Sequence, residues 1–242
     1  MFEFESSGKD LWTEYLNFLR WLHEGDKSSY LVHNRNYLRD VRWIVSNFME
    51  GDIDLDRFGY SPVKLRLLKK AYENVDSLTE GTAILERQLE KKKKYISASF
   101  SLMTGVKSQR LKSYCMNSFV FMKDPHITRI IISYRVTEAI KKFGADLVFL
   151  RYLFDKYIPG ELLDEVEQVI FQFSLLYVVP IYYPLVYTFG IRVPKNGNNW
   201  FHEACIKQLE RADDLSIIPK YSQTERVFRT YREWKEGGKK NE

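Results

Sequence analysis

His126, Arg129, Tyr134, Arg135 and Glu138 stand in an otherwise apolar stretch, DPHITRIIISYRVTEAI. A histidine changes charge near neutral pH and is the commonest general base. Arginines match phosphate and carboxylate oxygens with a planar fork of donors. A charge set among isoleucines and valines needs a partner. Read as a helix, the stretch puts Arg135 and Glu138 three apart, within pairing reach. Arg151 and Asp155 sit four apart in LVFLRYLFDKY and are expected to pair likewise. The commoner use of such pairs is to pin helices together. The functional use is a polar pocket for a phosphate-bearing or sugar ligand, with His126 as base and Arg129, Tyr134, Arg135 and Glu138 lining it.

Other chemistry-bearing groups are sparse. Cys115 and Cys205 are the two cysteines, so a disulfide-dense scaffold and a site ligated by cysteines alone are excluded. Cys115, in SYCMNSF, reads as an interior residue. His202 and Cys205 are three apart, half of a metal site with no second half. Asp52, Asp54 and Asp56 alternate in a loop that lacks the glycine and distal glutamate of a calcium loop. Asp164, Glu165 and Glu167 form a second acidic group, and Asp213 and Asp214 a third. No serine elbow, HExxH, CxxC or strand–glycine loop–helix unit is present. No metal and no cofactor are expected, and whether the chain is an enzyme stays open.

Positive charge is unevenly spread. The net charge is +5. Residues 61–123 carry thirteen basic against five acidic side chains, while residues 1–60 and 124–190 are net acidic. The basic band contains Lys69, Lys70, Arg87, Lys91, Lys92, Lys93, Lys94, Lys107, Arg110 and Lys112, interleaved with serines and tyrosines. Such a mix grips phosphates without reading bases. Arg35, Arg39 and Arg42 make a second set, on one side of an expected helix, and Lys220, Arg226, Arg229 and Arg232 a third. These sets point to a nucleic-acid partner. A helix-turn-helix between about Pro62 and Met103 would present the band, although its connection lacks a diagnostic turn.

The elements that must position these groups read as helices. Steps of three and four residues predict helices over about 8–23, 33–49, 62–74, 78–103, 107–121, 124–144, 146–157 and 161–177. Shorter ones are expected over 200–212 and 224–234. Asp124–Pro125 looks like a capped helix start. The run from Gln168 to Ile191 has no charge, but Pro180, Pro184 and its glutamines and tyrosines argue against a membrane span. The expected architecture is therefore mainly α: a compact multi-helix, bundle-like domain over 1–190, with a small C-terminal helical extension over 191–242 packed on it. With no secretory leader in MFEFESSGKD, a cytoplasmic location is expected. The leading functional expectation is nucleic-acid binding through a Lys/Arg-rich helical surface. The alternatives are a helical enzyme on a phosphate-bearing or nucleic-acid substrate with its pocket near Arg129, Arg135 and Glu138, and a protein-interaction module. The aromatic segment 177–189 would serve partner binding or self-association.

Overall fold

Most of the apolar runs pair edge to edge instead of coiling. A computed structural model describes residues 1–23, 30–32, 35–53, 65–66, 69–70, 75–102, 115–140 and 142–178. Its strands are β1 (Phe2–Glu5), β2 (Tyr30–Val32), β3 (Arg35–Val45), β4 (Ile96–Ser101), β5 (Met116–Lys123), β6 (Thr128–Glu138) and β7 (Gln168–Val178). Its helices are α1 (Leu11–His23), α2 (Asp76–Glu90), α3 (Phe143–Tyr157) and the single turn α4 (Gly160–Leu163). One mixed sheet runs in the order β1-β3-β7-β6-β5-β4, with β2 beside β3. β1–β3 and β6–β7 are parallel, and the other pairs are antiparallel.

The expectation of a mainly α bundle is thus overturned: the fold is mixed α/β. Helices near 8–23 and 146–157 are present, as α1 and α3, and the helix expected from 78 stops at Glu90. The stretches read as helices over 33–49, 107–121, 124–144 and 161–177 instead contain β3, β5, β6 and β7, and Ile96–Ser101 is strand β4. Asp124–Pro125 opens no helix. Asp124 Oδ1 accepts the N–H groups of His126 (2.8 Å) and Ile127 (3.2 Å), closing the β5–β6 hairpin. These backbone bonds, the larger from His126, hold the Asp124 carboxyl below its ordinary range.

The physical reason for the misreading is burial on both faces. Trp43 and Ile44 are neighbours in β3 and both buried, as are Val169, Ile170 and Phe171 in β7. A strand buried on both sides loses its alternating pattern and is told from a helix only by β-branched content. Ile130–Ile131–Ile132 carried that signal.

The main core lies between one sheet face and the helices. Trp43 is sandwiched by Phe18 of α1 (4.5 Å, 3° between ring planes) and Phe171 of β7 (5.1 Å). Phe143 of α3 meets Trp43, Phe171 and Phe173 edge-on. Farther along the sheet, Phe100 stacks on Phe119 at 4.3 Å, and Gly81 of α2 lets the helix close onto Phe100: an added Cβ would come within 2.4 Å of that ring.

Edge strand β4 is partly covered by side chains of α2. Gln88 Oε1 accepts the Ser97 N–H (2.9 Å) and its Nε2 donates to the Ser97 carbonyl (3.1 Å), while Ser77 Oγ accepts the Ser101 N–H (2.8 Å). The amide of Gln88 thereby occupies one position of a strand partner and blunts the edge.

A second feature interrupts the alternation of the sheet. In β3, β6 and β7 the alternation of buried and exposed residues slips by one at the same level. Arg39–Asp40, Arg135–Val136 and Ser174–Leu175 are successive residues outside the core, flanked by buried Leu38 and Val41, Tyr134 and Thr137, and Phe173 and Leu176. Val136, Leu175 and Arg39 are in register, so the three slips stack. Asp40 takes the left-handed backbone (φ 52°), and β5 shifts register between Met116 and Ser118 at its end of the line. Stacked irregularities of this kind preserve pairing while re-aiming the strand ends.

Helix α1 is locked to the sheet by a buried carboxylate. Glu14 is fully buried; it accepts the Asn47 N–H (2.9 Å), the Asn47 Nδ2 amide (3.0 Å), the Ser46 N–H (3.3 Å) and a very short bond from the Ser6 hydroxyl. Trp43 Nε1 donates to the same Ser6 oxygen at 3.0 Å. Asp10 caps α1, its Oδ1 accepting the Thr13 N–H at 2.7 Å.

Two outcomes follow from this locking. Glu14→Ala leaves four donors without their acceptor, and urea unfolding is expected to show a loss of about 3–5 kcal/mol, the range for breaking a buried charged network. Asp10 titrates below its ordinary 3.8, chiefly through the Thr13 bond. Its stabilisation is complete above that value and fades as the pH falls through the lower folded pKa. Asp10→Ala is therefore expected to cost about 1 kcal/mol at pH 7 and progressively less in acid, as read by urea midpoints across pH.

Candidate functional site

Beyond the line of stacked slips, β6 leads into a connection that several elements hold. Of it, residues 139, 140 and 142 are described, and α3 follows. Glu138, only 2% exposed, accepts the N–H groups of Ile140 (3.2 Å) and Lys142 (3.2 Å) through its two oxygens. Tyr15 of α1 donates its hydroxyl to the Ala139 carbonyl at 2.6 Å, and the Ala139 N–H donates to Tyr177 of β7 at 2.9 Å. The first turn of α3 carries half-buried Asp146.

Beside this turn the strands bring further polar groups into one row. Glu138 stands opposite Tyr177, and Tyr177 opposite Tyr37, with the two tyrosine rings 5.5 Å apart. Exposed Arg39 lies two rows in, level with Val136. On the other side of β6 the Arg135 N–H donates to the Cys115 carbonyl at 2.8 Å, so this thiol residue and this arginine face each other across the ladder. Cys115 is half-buried and in no disulfide, and Arg135 is exposed. Thr137 is 1% exposed and its hydroxyl has no hydrogen-bond partner among the described residues.

The five residues expected to share a pocket are divided between two ends of β6. His126 is exposed in the β5–β6 hairpin turn, and Arg129 lies near the strand start, paired with Gln168 and Met122. Arg129 and Glu138 are nine strand residues apart, about 30 Å. Arg135 and Glu138 lie together at the far end. Tyr134 is a core ring, 1% exposed, edge-on to Phe143 at 5.5 Å. On a strand Arg135 and Glu138 are not the neighbours that a helix would make them, and no ion pair between them is among the contacts seen.

The other expected pair also resolves differently. Arg151 Nε donates to the Phe48 carbonyl (2.8 Å) and its terminal nitrogens to the Glu50 (2.6 Å) and Gly51 carbonyls. It is a clamp on the turn after β3, not a partner held by Asp155. Burial pulls its pKa below the ordinary value, against the opposing charges of Asp52, Asp155, Glu50 and Asp10.

The basic sets divide as well. Arg42 pairs with Glu3 of the adjacent strand at 2.8 Å, and Arg39 and Arg42 stand on strand β3, not on a helix. Arg87 and Lys91–Lys94 are exposed around the C-terminal end of α2, and Lys70 is exposed. Lys69 Nζ rests 4.2 Å from the Tyr152 ring centre. Of the helix-turn-helix expected over 62–103, α2 covers Asp76–Glu90 and leads into strand β4, while residues 62–64, 67–68 and 71–74 lie outside the described residues. Lys107, Arg110, Lys112, the third basic set, Cys205 and His202 lie outside the described residues, as do the 191–242 extension and all but the first two residues of 177–189.

Among the described residues no group of three or more His, Cys, Asp and Glu side chains could hold a metal ion. Glu165 instead pairs with Lys123, and Glu167 accepts the Thr128 N–H at 3.2 Å. No helix among them is long and apolar enough to cross a membrane, and the Gln168–Val178 part of the uncharged run is strand β7.

Sequence reasoning missed Cys115 as the neighbour of Arg135 and Tyr177 as the neighbour of Glu138. Their proximity depends on strand register, for which no local spacing is a signal. Set against models of protein families and against curated proteins, the sequence matches none.

Proposed function

We propose that the protein is an enzyme for a small phosphate-bearing substrate, bound at the bulged end of the sheet. The observation that carries this reading is the direct opposition of Cys115 and Arg135 across the β5–β6 ladder, beside a turn that a buried carboxylate holds. Arginine supplies the forked donors that bind phosphate. A cysteine near a guanidinium is the microenvironment in which a thiol gains nucleophilic character. In this reading Arg135 anchors the anion. The Cys115 thiol, its proton passing to solvent, adds to a carbonyl carbon of the substrate: the carbon–sulfur bond forms as the C=O π bond opens, and the oxygen takes a proton from water. Glu138 positions the turn and the start of α3 and does not touch substrate itself.

One further feature supports it. Strand irregularities concentrate beside active sites, where they re-aim side chains. In this reading Arg135 takes the phosphate-binding role, on a strand end instead of a helix, Glu138 supports the turn, and His126 and Arg129 are too distant to take part.

The test is a thermal-shift screen with inorganic phosphate, a pentose phosphate and the common nucleoside monophosphates. A phosphate-bearing compound is expected to raise Tm in the wild type. Arg135→Ala should remove the shift, and Cys115→Ser should retain it while abolishing any turnover of that compound. No shift with any phosphate-bearing compound, or a shift unaltered in Arg135→Ala, contradicts the reading.

A further inference from the structure

At the opposite side of the molecule, helix α2 ends in a turn whose backbone and side chains make conflicting demands. The Lys92 N–H donates to the Leu89 carbonyl (2.7 Å) and the Lys93 N–H to the Gln88 carbonyl (3.2 Å). This is the paired closure that commonly ends a helix with a glycine in left-handed conformation. Here Lys92 holds that position, at φ 49°. A side chain there costs stability that glycine would not.

The lysine also stands in a crowd of like charge. Arg87, Lys91, Lys92, Lys93 and Lys94 are all exposed, and among the described residues none of them is in an ion pair. A helix C-terminus favours a cation within its last turn. Arg87 satisfies that preference, and Lys92–Lys94 lie beyond the helix. Glu86 and Glu90 are the acidic groups nearby in the chain. Next comes Tyr95, 69% exposed, the most open aromatic ring among the described residues. Beyond it Ser97 and Ser99 are exposed on edge strand β4.

We infer that this turn docks single-stranded nucleic acid: Arg87 and Lys91–Lys94 grip successive phosphates, and the Tyr95 ring stacks on a base. The combination of a cation cluster with an open aromatic ring is what sequence-tolerant single-strand binders use. A duplex hides its base faces, so it would use the lysines and not the ring. An anionic bilayer would favour apolar anchors beside the cations. The nearby candidate, Ile84, is 41% exposed and sits on the body of the helix. The inference is independent of the Cys115–Arg135 site.

Fluorescence anisotropy of the whole chain with a labelled single-stranded oligonucleotide, across a salt series, tests it. The quadruple variant Lys91→Ala, Lys92→Ala, Lys93→Ala, Lys94→Ala is expected to weaken binding and flatten the log–log salt slope by up to about 3, since each neutralised phosphate contributes about 0.7. Tyr95→Ala should weaken single-strand binding roughly ten-fold and leave duplex binding unchanged. Lys92→Gly should raise Tm while lowering affinity, which separates the binding role of this lysine from a structural one. Lys9→Ala should change nothing. No binding at about 50 mM salt overturns the inference, as does binding that survives the quadruple change. Equal affinity for phosphatidylserine vesicles with no effect of Tyr95→Ala assigns the patch to membranes and overturns it too.

Discussion

The carboxylate of Glu14 is the constraint on which the arrangement depends. It is fully buried and receives donors from the β1–α1 connection and from the turn after β3. An ionised group removed from water is tolerated only when its lone pairs are filled. Filling them requires β1, β3 and α1 to meet in one geometry. Ser6 extends the requirement to Trp43, whose indole donates to the same hydroxyl oxygen. The rings of Phe18, Phe171 and Phe143 then pack around Trp43 and bring in β7 and α3. Tyr15, one residue after Glu14, carries the order to the far end of the sheet through the Ala139 carbonyl. One polar knot thus fixes the position of the turn that precedes α3, and with it the neighbourhood of Glu138.

The sheet itself supplies the second constraint. Regular strands would set Arg135, Leu175 and Arg39 on fixed alternating faces. The slips at Arg39–Asp40, Arg135–Val136 and Ser174–Leu175 lie in register, so neighbouring strands slip together and few ladder bonds are lost. A lone irregularity in a central strand would leave unpaired backbone groups, which are costly in an interior. Stacking them avoids that cost and changes which residues face the core at this end of the sheet. The polar residues of the candidate site all sit at or beyond this line.

Legibility in the sequence followed the range of the interactions. Helices α1 and α3 were readable because amphipathic spacing and termini are local. Strands β3, β6 and β7 were not, because apolar residues on both faces erase alternation. Arg135 and Glu138 drew notice as charges in apolar surroundings; Glu138 is buried and accepts two backbone N–H groups, whereas Arg135 is exposed. Their company did not follow from that pattern. His126 is near in the chain and distant in space, whereas Cys115 is twenty residues away and directly opposite. The basic run after Glu90 was visible at once, but its strain was not, since a positive φ at Lys92 has no signature in residue type.

The account turns on whether Arg135 and Cys115 share an anion site. The most direct measurement is the rate of Cys115 alkylation by iodoacetamide, read by peptide mapping so that Cys205 is followed separately, with and without inorganic phosphate. The account predicts that phosphate slows alkylation of Cys115 in the wild type and has no effect in Arg135→Ala. An alkylation rate that phosphate leaves unchanged in the wild type, with the thiol reactive in both proteins, would contradict it.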